Sequence, residues 1–105
     1  MTTVMVDAGA CGFSTTITVE KSKDGKMTLA LETRCEMVQK MLEDIAILDR
    51  FATLSGFQNN PVYLSAARHL KHVACPVPSG ILKALEVEAG LNVAKDVSTV
   101  FSKKK

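Results

Sequence analysis

A chain of 105 residues is long enough for one hydrophobic core and too short for two, so we expect a single domain over residues 1–105. Hydrophobic residues make up 47% of the chain and charged residues 23%, which excludes general disorder. Thirteen basic and eleven acidic residues give a net charge of +2 with no basic stripe, so nucleic acid is not expected as a partner.

No apolar run approaches the length of a membrane span, and the first residues lack the features of a signal peptide. We therefore expect a cytoplasmic protein that does not bind membranes. Residues 102–105, which contain three consecutive lysines, are expected to form a frayed basic tail.

Alternating apolar and polar residues predict three strands over residues 3–7, 13–20 and 27–34. A three-residue turn, Lys23-Asp24-Gly25 with a left-handed Gly25, keeps the apolar residues of the second and third strands on one face. A register shifted by one residue would turn those side chains toward water. The predicted cross-strand pairs are Val19 with Leu29, Ile17 with Leu31, and Phe13 with Cys35.

From Glu36 onward, the apolar residues recur with the period of a helix. The sequence predicts a first helix that begins at Glu36, has an apolar stripe reaching Ala52, and is closed by Ser55-Gly56. A second should begin at Asn60-Pro61, as N-cap and first helical residue, and end by about Ala74. A third should run from Pro78 or Ser79 to Ala89, and a final strand should contain Val97, Thr99 and Phe101. The order β-β-β-α-α-α-β predicts an α+β fold, a small mainly antiparallel sheet with helices packed on one face.

The motif His72-Val73-Ala74-Cys75-Pro76-Val77-Pro78 places a thiol at the start of a helix and close to an imidazole. The positive end of the helix dipole and the unpaired backbone N–H groups there favour a thiolate. The alternative is that Cys75 is a small buried hydrophobic residue, as free cysteines commonly are.

All three cysteines fall at the ends of predicted elements, where functional sites are common. The hairpin register predicts that Cys11 and Cys35 are diagonal neighbours about 7–8 Å apart. His69 and His72 are three residues apart on the second predicted helix, and His72 precedes Cys75 by three. If the third helix brings Cys75 to the other two thiols, a Cys3His set with His72 would suit zinc or an iron–sulfur cluster.

Cys75-Pro76-Val77-Pro78 followed by Ile81-Leu82-Lys83-Ala84-Leu85 resembles the CPxP helix of the TusA/SirA sulfur-carrier family. That resemblance implies that Cys75 carries a persulfide and passes sulfur to partner proteins.

Over most of its length the chain resembles a family of small uncharacterised bacterial and archaeal proteins. The resemblance rests on Asp7-Ala8-Gly9-x-Cys11-Gly12-Phe13, on Cys35 before a helix, and on His72-x-x-Cys75-Pro76-Val77-Pro78. It supports grouping the three cysteines with one histidine and implies no activity.

Three functions follow from these observations. The first is a thiol-site protein that binds a metal ion or iron–sulfur cluster through Cys11, Cys35, Cys75 and His72. The second is a sulfur-relay or redox protein in which Cys75 is the catalytic nucleophile and Cys11 or Cys35 the resolving thiol. The third is a non-enzymatic interaction domain that binds a protein partner and whose cysteines are core residues.

Overall fold

The computed structural model describes residues 1–103. Over these residues the order of elements is β1 (Thr2–Asp7), β2 (Ser14–Lys21), β3 (Lys26–Thr33), α1 (Glu36–Ile45), β4 (Ile47–Asp49), α2 (Arg50–Thr53), α3 (Pro61–His69) and α4 (Val77–Glu88). The strands form one antiparallel sheet in the order β1-β2-β3-β4. The predicted α+β class is confirmed, and Lys104 and Lys105 of the predicted tail lie outside the described residues.

The hairpin between β2 and β3 has the predicted register. Ile17 pairs with Leu31 and Val19 with Leu29, and Gly25 has a φ of 88° in the turn. The ladder ends at the pair Thr15–Thr33, so the predicted pair of Phe13 with Cys35 does not form. The Phe13 carbonyl instead accepts a hydrogen bond from the Ala8 N–H across the β1–β2 loop, and Cys35 is the N-cap residue of α1.

One face of the sheet carries the hydrophobic core. Helix α4 packs across β1 and β2, and α1 packs on β3. Helix α3 packs against α1 and α4. The core cluster of buried hydrophobic side chains comprises Ile17, Val19, Met27 and Leu29 from the sheet, Val38, Met41 and Ile45 from α1, Leu48 from β4, Val62 from α3, and Val77, Ile81, Ala84, Leu85 and Ala89 from α4 and its C-cap. No helix in residues 1–103 is long and apolar enough to cross a membrane.

The first predicted helix is too long. Helix α1 ends at Ile45, and residues 47–49 form β4, in which Leu48 pairs with Met27 of β3. The edge of β3 offers backbone hydrogen-bonding groups to the chain that follows Ile45, and a continued helix would leave these groups unpaired. The Leu29 N–H, for example, donates to the Ala46 carbonyl at 2.8 Å. Asp49 then caps α2, because its carboxylate accepts the Ala52 N–H at 3.0 Å.

The second predicted helix is also too long, and the final strand is absent. Helix α3 begins with the predicted Asn60 N-cap but ends at His69, since Leu70 has an extended backbone. Residues 93–103 form neither helix nor strand. No backbone hydrogen bond joins residues 96–101 to another described residue, so this segment has no neighbouring strand with which to pair.

Candidate thiol site

The direction of α4 decides where Cys75 lies. A β-carbon added at Gly80, early in α4, would come within 2.5 Å of Cγ2 of Val6. At the other end of α4, the Glu88 carboxylate accepts a 2.7 Å hydrogen bond from the Thr2 hydroxyl. Helix α4 therefore runs antiparallel to β1. Cys75, just before α4, lies at the end of the sheet where β1 and β3 finish and β2 starts.

All three cysteines consequently lie toward the same end of the sheet. Cys11 is in the loop from β1 to β2, Cys35 follows β3, and Cys75 precedes α4. We call residues 8–13, 33–36 and 72–76 the thiol end. All three cysteines are free thiols; Cys11 is exposed, and Cys35 and Cys75 are half-buried.

Cys35 is the N-cap residue of α1 and contributes no side-chain cap hydrogen bond. Its N–H donates to the Thr33 hydroxyl oxygen at 3.1 Å, and that oxygen also accepts the Thr15 hydroxyl at 3.0 Å. The Cys35 carbonyl accepts the Gln39 N–H at 3.0 Å, the first bond of the helix. The Cys35 side chain packs against the core, so its thiol is held by the framework of the sheet and α1.

Cys75 closes a turn, in which its N–H donates to the His72 carbonyl at 3.2 Å. Pro76 is the N-cap residue of α4, and Pro78 lies in the first turn of that helix. The Cys75 side chain packs against the edge of the core. The chain thus holds a half-buried thiol one residue before the helix N-cap.

Cys11 lies in a loop that two glycines shape. Gly9 and Gly12 have φ values of 84° and 76°, which other residues rarely adopt. The Gly12 N–H donates to the Gly9 carbonyl at 2.9 Å, and the Gly9 N–H donates to the Asp7 carboxylate at 3.1 Å. Asp7 therefore stabilises the turn that carries Cys11.

The two histidines do not share a helix face, because α3 ends at His69. His72 is exposed in the turn before Cys75, whereas His69 bonds to Asp44 on α1. In the described part of the chain, no group of three or more His, Cys, Asp or Glu side chains is arranged to hold a metal ion. The Cys3His ligand set of Cys11, Cys35, Cys75 and His72 stays a prediction.

A shallow depression of about 500 Å³ lies beside the thiol end. Its lining comprises residues 12–14, Thr16 and residues 32–34, so it adjoins Cys11 and Cys35 along the chain. Glu32 and Arg34 give it one charge of each sign. None of the three cysteines lines it, and Ser14, Thr16 and Glu32 belong to the sheet face opposite the helices.

Sequence reasoning missed a polar cluster that joins α1 to α3. The Asp44 carboxylate accepts the Ser65 hydroxyl at 2.7 Å, pairs with Arg68 at 2.7 Å and bonds to His69 Nε2 at 3.0 Å. The hydrogen bond from Ser65 lowers the pKa of the Asp44 carboxyl most, with His69 and Arg68 adding to it and burial opposing it. The only signal in the sequence is the three- and four-residue spacing of the partners on α3.

The Asp44 cluster predicts a pH-dependent stability difference. A carboxyl whose pKa is lowered on folding stabilises the fold above its ordinary pKa of 3.8, and this contribution is lost as the pH falls through the folded-state value. Urea unfolding should show Asp44→Asn less stable than the wild type at pH 5, with a smaller gap at pH 3. Glu43→Gln, an exposed control on the same helix, should show no gap at either pH, and an Asp44→Asn gap that widens at pH 3 would contradict the prediction.

Comparisons with known proteins identify a family and no activity. No curated protein and no solved structure matches the chain. The narrower resemblance of the Cys75-Pro76-Val77-Pro78 helix to sulfur carriers has no support in these comparisons and stays a prediction. A family model described as a family of unknown function, DUF6951, matches residues 2–101. The chain belongs to this family, in agreement with the resemblance to uncharacterised proteins noted from the sequence.

Proposed function

We propose that the protein is a sulfur relay in which Cys75 accepts and passes on a sulfur atom. The observation that carries the proposal is the direction of α4, which starts at the same end of the sheet as the Cys11 loop and the N-cap of α1. Two half-buried thiols, Cys35 and Cys75, therefore stand at the starts of two helices of 10 and 12 residues. A third, exposed thiol lies in the loop at that end.

The proposed chemistry needs no external oxidant. The Cys75 thiolate attacks the outer sulfur of a persulfide donor, R–S–SH. The donor S–S bond breaks, Cys75–S–SH forms, and the donor leaves as the thiolate R–S⁻. In the transfer step an acceptor thiolate attacks the outer sulfur of Cys75–S–SH, and Cys75 is released as a thiolate. Atoms and electrons balance in both steps.

The three thiols have different parts in this scheme. Cys75 is the nucleophile, because the turn from His72 and the following prolines hold it beside the start of α4. Cys35, held at the start of α1, is the acceptor within the chain. Cys11 is exposed on a loop and can meet a thiol of a partner protein.

Mass spectrometry of cysteine variants tests the relay. After anaerobic mixing with glutathione persulfide, the wild-type protein should gain the mass of one sulfur atom on Cys75. Cys75→Ser should abolish uptake at that peptide, whereas Cys11→Ser, the matched control, should retain it. In Cys35→Ser, uptake should persist and any sulfur found on Cys35 in the wild type should disappear. Equal uptake by wild type and Cys75→Ser would overturn the proposal.

Metal or cluster binding is the second candidate: the three cysteines and His72 lie toward one end of the sheet, although the described residues do not form a ready-made ligand group. Zinc and iron–sulfur clusters both bind such thiolates. Metal analysis and an absorption spectrum of anaerobically purified protein test it, with loss of metal in Cys75→Ser as the supporting result. If the protein takes up neither sulfur nor metal, the third prediction, an interaction domain with structural cysteines, is the one that stands.

A further inference from the structure

The segment that follows α4 has the pattern of a strand but no strand to pair with. Val97, Thr99 and Phe101 alternate with Ser98 and Val100, so the first three would share one face of an extended chain. Val97 is 69% exposed, Val100 82% and Phe101 97%. We call residues 96–101 the strand segment. Its apolar side chains are largely exposed, and no backbone hydrogen bond joins it to another described residue.

The sheet offers one edge of matching length. Strand β1 is the outermost strand on its side, six residues long, and pairs only with β2. It contains no proline or lysine, the residues that commonly protect such edges from pairing. The opposite edge belongs to β4, which has only three residues. A strand of five or six residues therefore fits the β1 edge best.

The side chains of the two elements are also compatible. Val4 and Val6 of β1 point to the helix-covered face, where both are only half-buried and pack against the core. A strand added beside β1 with Val97 and Phe101 on that face would cover Val4 and Val6 from the side. The unpaired backbone groups of β1 would then be hydrogen-bonded, and its half-buried apolar side chains would be covered.

We propose that the strand segment of one copy pairs with the β1 edge of a second copy, giving a strand-exchanged dimer. Residues 91–103 are exposed throughout, so the segment does not lie on the sheet of its own copy. Each copy has one free edge of matching length and one free segment, and a two-fold arrangement pairs both at once. Main-chain hydrogen bonds supply the affinity, as in other cases of strand addition. The proposal does not rest on the sulfur-relay chemistry.

Sedimentation equilibrium of the full chain tests the dimer. The wild type should have twice the mass of one chain at micromolar concentration, and Val97→Asp combined with Phe101→Asp should have the mass of one chain. Val93→Asp is the matched control, since Val93 is 73% exposed and precedes the strand segment; this variant should stay dimeric. A wild type with the mass of one chain, or a double variant that stays dimeric, would overturn the proposal.

Hydrogen exchange locates the contact and distinguishes pairing between two copies from pairing within one copy. Amides of residues 2–7 and 97–101 should exchange slowly in the wild type, and those of 97–101 should exchange at least tenfold faster in the double variant. Protection of 97–101 in a protein with the mass of one chain would mean pairing within one copy and would reject exchange. A chain ending at Asn92 is the second variant. It keeps every buried core residue, and it should be folded by circular dichroism and have the mass of one chain.

Discussion

Asn60→Asp should destabilise the protein by about 3–5 kcal/mol, the range for an uncompensated charge in a buried site. Asn60 is 4% exposed, and its amide nitrogen donates to the Thr53 carbonyl at 2.6 Å and the Gly56 carbonyl at 2.9 Å. Its side-chain oxygen accepts the Val62 N–H at 2.9 Å. Aspartate keeps this cap but turns a carboxylate oxygen toward two carbonyl oxygens.

Urea unfolding at pH 7 measures this loss of free energy of unfolding. Asp49→Asn is the matched control, because Asp49 caps α2 at an exposed position and asparagine caps helices about as well. It should change stability by no more than about 0.5 kcal/mol. Equal effects of the two substitutions would show that the amide of Asn60 does not join the residue 53–56 turn to α3.

Gly80→Ala should destabilise the protein by about 1–3 kcal/mol, although alanine favours an isolated helix by about 1 kcal/mol. The new β-carbon would lie 2.5 Å from Cγ2 of Val6 and 3.4 Å from Cδ1 of Ile17. Val6 is β-branched and lies on a paired strand, so it has little room to move. Helix α4 must therefore shift away from the sheet, and Cys75 shifts with it.

A double-mutant cycle isolates this contact. Val6→Ala removes the clashing methyl group, so the combination with Gly80→Ala should be more stable than the sum of the single effects by about 1–2 kcal/mol. Val4→Ala, two residues away on the same face, is the control and should show additive effects with Gly80→Ala. Stabilisation by Gly80→Ala alone would contradict the close packing of α4 on β1. Sulfur uptake should also be slower in Gly80→Ala and recover in the combination with Val6→Ala.

Local rules account for much of the fold. The β2–β3 register follows from a period of two residues and from Gly25, and the start of α3 follows from Asn60-Pro61. The end of α1 does not follow, because Leu48 fits the helical stripe and the strand pattern equally well. The free edge of β3 decides between them, and that edge exists only in the folded protein. The predicted final strand does not form, because its alternating pattern finds no partner strand in its own copy.

The candidate site depends even more on tertiary packing. The hairpin register predicts Cys11 and Cys35 as diagonal neighbours, but the ladder ends at Thr15–Thr33, before it reaches either cysteine. The position of Cys75 depends on the direction in which α4 crosses β1. The close approach of Gly80 to Val6 and the contact of Glu88 with Thr2 fix that direction. No spacing in the sequence reveals either contact. The sequence does not predict the end of α3 at His69, because Pro76 only excludes a helix that continues past about Ala74.

The most direct test of the sulfur relay is to locate the added sulfur in the wild-type protein after reaction with one equivalent of glutathione persulfide. Cys11 is the most exposed of the three thiols, so accessibility alone predicts that it reacts first. The relay predicts that peptide mapping finds the sulfur on Cys75. Sulfur on Cys11 alone, or no added mass on any cysteine, would contradict it.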